Sequence, residues 1–160
     1  MLTMIMTDKK KMDKRGGAGM NAKEYLKQLQ KMDVMIKQRQ QEKDELRTML
    51  GSISSFDYAK DRVQTSRASD AHYVKIIEKI TEIEEGIGHL ITEYLEKKHE
   101  MIGQIQKLKN DKHIEVLYKR YIEFKRIEDI AEEMNYTYPY AISLHGNALK
   151  EFEKENDGYF

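Results

Sequence analysis

The stretch IEVLYKRYIEFKRIEDIAEEMNYTYPYAISLHGNALKEF, residues 114–152, decides how the rest of the chain is read. Its apolar residues fall at Val116, Leu117, Tyr121, Ile127, Ile130, Ala131, Met134, Ala141, Leu144, Ala148, Leu149 and Phe152. That is helical spacing, interrupted twice by short polar turns. It predicts a short helix through Ile127 and Met134, a turn at Asn135, and a second helix after Thr137. Two helices joined in this way form a helix-turn-helix, whose second helix usually enters a DNA major groove. Ala131 is small where two helices must cross. Asn135 tolerates the left-handed conformation that closes a helix. Thr137 suits an N-cap, and Pro139 suits a first turn, where a missing N–H costs little. The competing reading is a plain helical hairpin with no DNA role, since fold alone does not fix function.

Composition sets the bounds around this stretch. The chain has 160 residues, 28 of them basic and 28 acidic, with no cysteine, no tryptophan and one proline. Glu, Lys, Gln, Met, Ile and Leu dominate, so the fold class expected is all-α. The absence of cysteine excludes a disulfide scaffold, a thiolate metal site and a cysteine nucleophile, and it suits a cytoplasmic protein. No apolar run approaches the roughly 18 residues needed to span a bilayer, so no membrane role is expected. A net charge of zero gives no overall pull toward nucleic acid, and any such pull must be local.

Upstream, residues 1–20 read as a disordered leader. Five basic residues against two acidic ones give it a local charge of +3, and Gly16, Gly17 and Gly19 break any helix. From Asn21, the residues Tyr25, Leu29, Met32, Ile36, Arg39, Lys43, Leu46 and Leu50 alternate four and three apart. That is a heptad seam. Asn21 and Glu24 stand as a capping box, and Gly51 is expected to end the helix. A loop is expected over 51–68, and a second long helix from about Ser69 to Lys109. Along it Tyr73, Ile80, Ile87, Tyr94, Met101 and Leu108 repeat every seven residues, with Ile76, Ile83 and Leu90 beside them until the pattern turns polar at Lys97 and Gln104. Such a helix is about 60 Å long and needs a partner along its seam. The expected architecture is a long antiparallel, coiled-coil-like hairpin over 21–110, followed by the helix-turn-helix domain over 111–155 and a frayed tail at 156–160. Because the first helix ends early in this reading, some seam is left for another chain. Gly86 and Gly88 are expected to permit a bend or a close approach, and Asp111 to cap the third helix.

Catalytic chemistry finds no footing. His72, His89, His99, His113 and His145 include no pair three or four apart, so no helix face grips a metal. No phosphate loop, dinucleotide fingerprint or nucleophile elbow occurs. Neither an enzyme nor a cofactor is expected.

The segment Ile127–Phe152 resembles region 4 of bacterial sigma-70-type RNA polymerase sigma factors, which reads promoter DNA. The shared skeleton is an I-E-D-I-A helix, a short turn with Thr, and a helix ending A-L-x-x-F. More of the chain is similar to a family of uncharacterised prophage proteins of Gram-positive bacteria, grouped with phage late-gene and autolysin regulators. That likeness rests on Asn21–Leu26, Val63–Ser66, Tyr118–Ile122 and Leu144–Leu149. The resemblance implies a DNA-binding transcription regulator. By position, Tyr138, Pro139, Tyr140, Ile142 and Ser143 would face bases. His145 and Asn147 would lie nearer the backbone, and Lys125, Arg126 and Lys150 would meet phosphates.

Sigma factors carry Arg, Glu and Gln at the base-facing positions, and these make stronger base contacts than Tyr or Ser. From His113 to Glu155 six basic residues face nine acidic ones, a balance of −3. Phosphate neutralisation supplies most non-specific affinity, so the expected reader acts with help. The expected partners are DNA, RNA polymerase and further copies of the chain through the long helices. The alternative is a helical protein–protein assembly module in which the helix-turn-helix only packs.

Overall fold

The computed structural model describes residues 20–59 and 66–158, and all elements among them are helical. They are α1 (Ala22–Ala59), α2 (Ser66–Ile105), α3 (Asp111–Leu117), α4 (Ile127–Glu133) and α5 (Tyr138–Glu155). A π-helical turn, Tyr118–Ile122, continues α3. Nearly all of the expected leader lies outside the described residues.

The capping box opens α1 as its residues require. Asn21 Oδ1 accepts from the Glu24 N–H at 2.9 Å, and the Glu24 carboxylate accepts from the Asn21 N–H at 3.4 Å. The helix does not stop at Gly51. It runs on to Ala59, and α2 already begins at Ser66, so 51–59 and 66–68 of the expected loop are helical instead. Leu50 and Ile53 are half-buried and extend the seam. Packing of that kind outweighs the roughly 1 kcal/mol by which one glycine disfavours a helix.

The two long helices lie side by side in opposite directions. Lys97 on α2 sits 4.4 Å over the ring of Tyr25 near the start of α1. Further along, Arg47 reaches Glu84 at 2.6 Å and Lys43 reaches it at 3.9 Å. Ile76, Ile80, Ile83 and Ile87 are buried along the seam, while Tyr73 is exposed. A Cβ at Gly86 or Gly88 would meet nothing within 4 Å among the described residues, so neither glycine serves a close approach among them.

The start of α1, the end of α2 and the C-terminal helices share one core. Ala22, Tyr25, Leu26 and Leu29 of α1 join Met101, Ile105 and Leu108, then Val116, Leu117, Tyr121, Ile122, Ile130, Leu144, Ala148 and Phe152. Asn110, not Asp111, caps α3, its Oδ1 accepting from the Lys112 N–H at 3.0 Å. Asn156 is no part of a frayed end. It is 2% exposed, and its amide donates to the Phe152 carbonyl at 3.1 Å. Residues 159 and 160 lie outside the described residues. No described helix is long and apolar enough to cross a membrane.

Candidate nucleic-acid interface

The candidate interface is built on α4, the turn after it, and α5. Asp129 holds the entry to α4 by accepting from the Arg126 N–H at 3.3 Å. The helix closes on Asn135, whose φ of 55° is left-handed. The Tyr136 N–H returns to the Ala131 carbonyl at 2.8 Å, a bond spanning five residues that satisfies the helix end. Thr137 then occupies the N-cap of α5, but its side chain makes no capping bond. Its carbonyl accepts from the Ala141 N–H at 3.0 Å, and Pro139 falls in the first turn, where no backbone donor is needed.

α5 is two-sided. Ala141, Leu144, Ala148 and Phe152 are buried against the shared core. On the other side Pro139, Ser143 and Lys150 are exposed and Gly146 half-exposed, three or four residues apart, forming one line along the helix. Tyr138 and Ile142 flank that line on one side, 47% and 46% exposed. Tyr140 and Asn147 flank it on the other, and the Tyr140 ring meets Tyr136 edge-on at 4.7 Å. Seven of the residues expected at the reading face, Tyr138, Pro139, Tyr140, Ile142, Ser143, Asn147 and Lys150, are thus together on the outside of one helix.

His145 departs from that set. It is half-buried, with Nε2 3.0 Å from the Tyr121 hydroxyl and its ring stacked on Tyr121 at 5.7 Å. Burial lowers its pKa to about 4, and the charges of Arg120 and Lys23 add to the effect. It is therefore neutral near pH 7 and turned inward, so it is withdrawn as a backbone contact. Burial also raises the Tyr121 pKa to about 12, so its hydroxyl stays protonated beside the imidazole. One position along a helix separates an outward from an inward side chain, and sequence spacing alone did not resolve it.

The cations beside the turn are only partly available. Glu133 Oε2 accepts from Lys119 at 2.6 Å and from Lys125 at 2.8 Å. Glu123 adds a second partner for Lys125 at 2.9 Å. The hydrogen bond from Lys119 and then that from Lys125 hold the Glu133 carboxyl below its usual range, while both amines are held above theirs, chiefly by Glu133. Arg126 is exposed and 3.5 Å from Glu128. Lys150 makes no ion pair among the described residues.

A second polar cluster was not anticipated. Glu151, on the half-buried edge of α5, pairs with His113 Nδ1 and accepts from the Lys109 N–H at 2.9 Å. The bond from His113 is the main reason its pKa is lowered. This cluster ties α5 to the start of α3. Among the described residues no group of three or more His, Asp or Glu comes together to hold a metal ion.

A family model described as a protein of unknown function (DUF1492) matches residues 52–153. No curated protein and no solved structure matches the chain.

Proposed function

The chain belongs to that family, DUF1492, and we propose that it is a DNA-binding transcription regulator resembling sigma factor region 4. In this reading α4, the Asn135 turn and α5 form a helix-turn-helix, and α5 enters the major groove. Tyr138, Tyr140, Ser143 and Asn147 contact the DNA, with Lys150 and Arg126 on phosphates. The observation that carries the reading is the two-sidedness of α5. Its inner side is locked into the core, and its exposed side begins immediately after a tight turn. The antiparallel hairpin is the arm through which the protein recruits help, either another copy or RNA polymerase. It is not proposed to catalyse anything, and it would work in the cytoplasm.

Help is needed for an electrostatic reason. Lys125 is already neutralised by Glu133 and Glu123, which leaves few free cations near the groove. Phosphate contacts supply most of the non-specific affinity, so the isolated protein binds DNA weakly. Gel shifts and pull-downs with purified protein, promoter DNA and host polymerase test the reading. It predicts a complex that polymerase strengthens. Binding to neither, alone or together, overturns it.

A second reading is favoured by the apolar character of the same face. Tyr138, Tyr140 and Ile142 together suit a protein partner as well as a groove. In that reading the chain is an assembly module, and Tyr138→Ala and Tyr140→Ala abolish partner binding while DNA binding stays at background throughout.

A further inference from the structure

α1 covers the seam of α2 but leaves an apolar line on its flank. Tyr73, Ile77, Ile91 and Leu95 are 36%, 41%, 36% and 57% exposed. With Glu84 they fall within about 40° around the helix and extend for about 33 Å. The line reads alike from either end. Tyr73 and Leu95 each stand eleven residues from Glu84, Ile77 and Ile91 each seven, and Asp70 and Lys98 each fourteen.

That symmetry selects the occupant. A contact between identical chains about a two-fold axis must be self-complementary: if one position meets another, the second must meet the first. We propose that this flank of α2 is the dimer interface, two copies lying antiparallel with the axis at Glu84. Tyr73 then packs on the partner's Leu95, and Ile77 on the partner's Ile91. At each end Asp70 meets the partner's Lys98, opposite charge on opposite charge. The carboxylates at the axis are compensated within each chain, because Glu84 is held by Arg47 at 2.6 Å and Lys43 at 3.9 Å. Gly88, with nothing within 4 Å of where a Cβ would stand, leaves room for the second helix to approach. The two C-terminal units then stand at opposite ends of the pair. None of this depends on whether α5 reads DNA.

The chain lacks cysteine, so single introduced cysteines report the register. Under mild oxidation Glu84→Cys should crosslink to itself, and a Tyr73→Cys chain should crosslink to a Leu95→Cys chain, while the off-axis control Glu82→Cys should not. Light scattering should give twice the 19.0 kDa chain mass. Ile77→Glu with Ile91→Glu should weaken association more than tenfold with helicity unchanged. If that pair unfolds the chain, the exposed charges decide. Asp70→Lys alone should weaken the dimer, and Asp70→Lys with Lys98→Asp should restore it. A monomer at high micromolar concentration overturns the proposal. So does crosslinking of Glu82→Cys as fast as Glu84→Cys, or failure of the charge swap to restore association.

Discussion

The Tyr121 hydroxyl lies 3.0 Å from His145 Nε2, and this bond joins the π-helical turn after α3 to the inner edge of α5. Two polar groups in a largely apolar core satisfy each other, so removing either leaves the other unpaired. Tyr121→Phe should cost about 1–2 kcal/mol and His145→Ala about 1–3 kcal/mol. Denaturant titration checks both. Any fall in DNA binding by His145→Ala should track its loss of stability.

The same residue sets an acid limit. The folded His145 has a pKa of about 4, below the 6.5 of the free side chain. The unfolded chain therefore takes up a proton between these values while the folded chain does not. Stability is fully present above pH 6.5 and is lost as the pH falls toward 4, by at most about 3 kcal/mol. Thermal unfolding across pH 4 to 7 should show this slope, and His145→Asn should flatten it.

Glu151 acts lower on the scale. Its pKa is lowered by His113 first and by the Lys109 backbone N–H. Its contribution is present above the unfolded carboxylate value and disappears as the pH falls through the lower folded one. Glu151→Gln should destabilise by about 1 kcal/mol at neutral pH and should not alter the His145 slope. Chemical unfolding of the variant at neutral and acid pH separates the two effects.

Glu133→Gln should act in the opposite direction on DNA. It removes the negative charge that Lys119 and Lys125 share, so both amines are less fully compensated, Lys119 keeping Glu115 and Lys125 keeping Glu123. Affinity for duplex DNA should rise severalfold, and the salt slope should steepen by about one to two ions. Fluorescence anisotropy at several salt concentrations measures both.

Gln104 is 2% exposed; its amide donates to Glu100 at 3.4 Å, while its Oε1 has no hydrogen-bond partner among the described residues. Gln104→Met should therefore be neutral or stabilise by about 1 kcal/mol, because a buried unpaired acceptor is exchanged for an apolar group of similar size. The melting temperature reports the change.

The helices themselves were legible in the sequence because periodicity is a local signal. The heptads of α1 and α2, the Asn21–Glu24 box, the left-handed Asn135 and Pro139 in the first turn of α5 all depend on neighbours a few residues away. What failed depended on distance. Gly51 reads as a stop until the packing of Leu50 and Ile53 is known. His113 and Glu151 are 38 residues apart, and Lys119 and Glu133 are 14 apart, so no pattern links them. At the candidate interface, the residues expected on the outward side of α5 come from position in the resemblance to sigma region 4. The inward turn of His145 and the neutralisation of Lys125 required the packed neighbours.

The central claim is that the outer side of α5 contacts DNA. The most direct measurement is the salt dependence of duplex DNA binding by the full chain and by Lys150→Ala, each with and without host RNA polymerase. The account predicts weak binding that polymerase strengthens, and a salt slope shallower by about one ion in Lys150→Ala. Absence of binding in low salt, or binding with identical slopes for the two proteins, would contradict it.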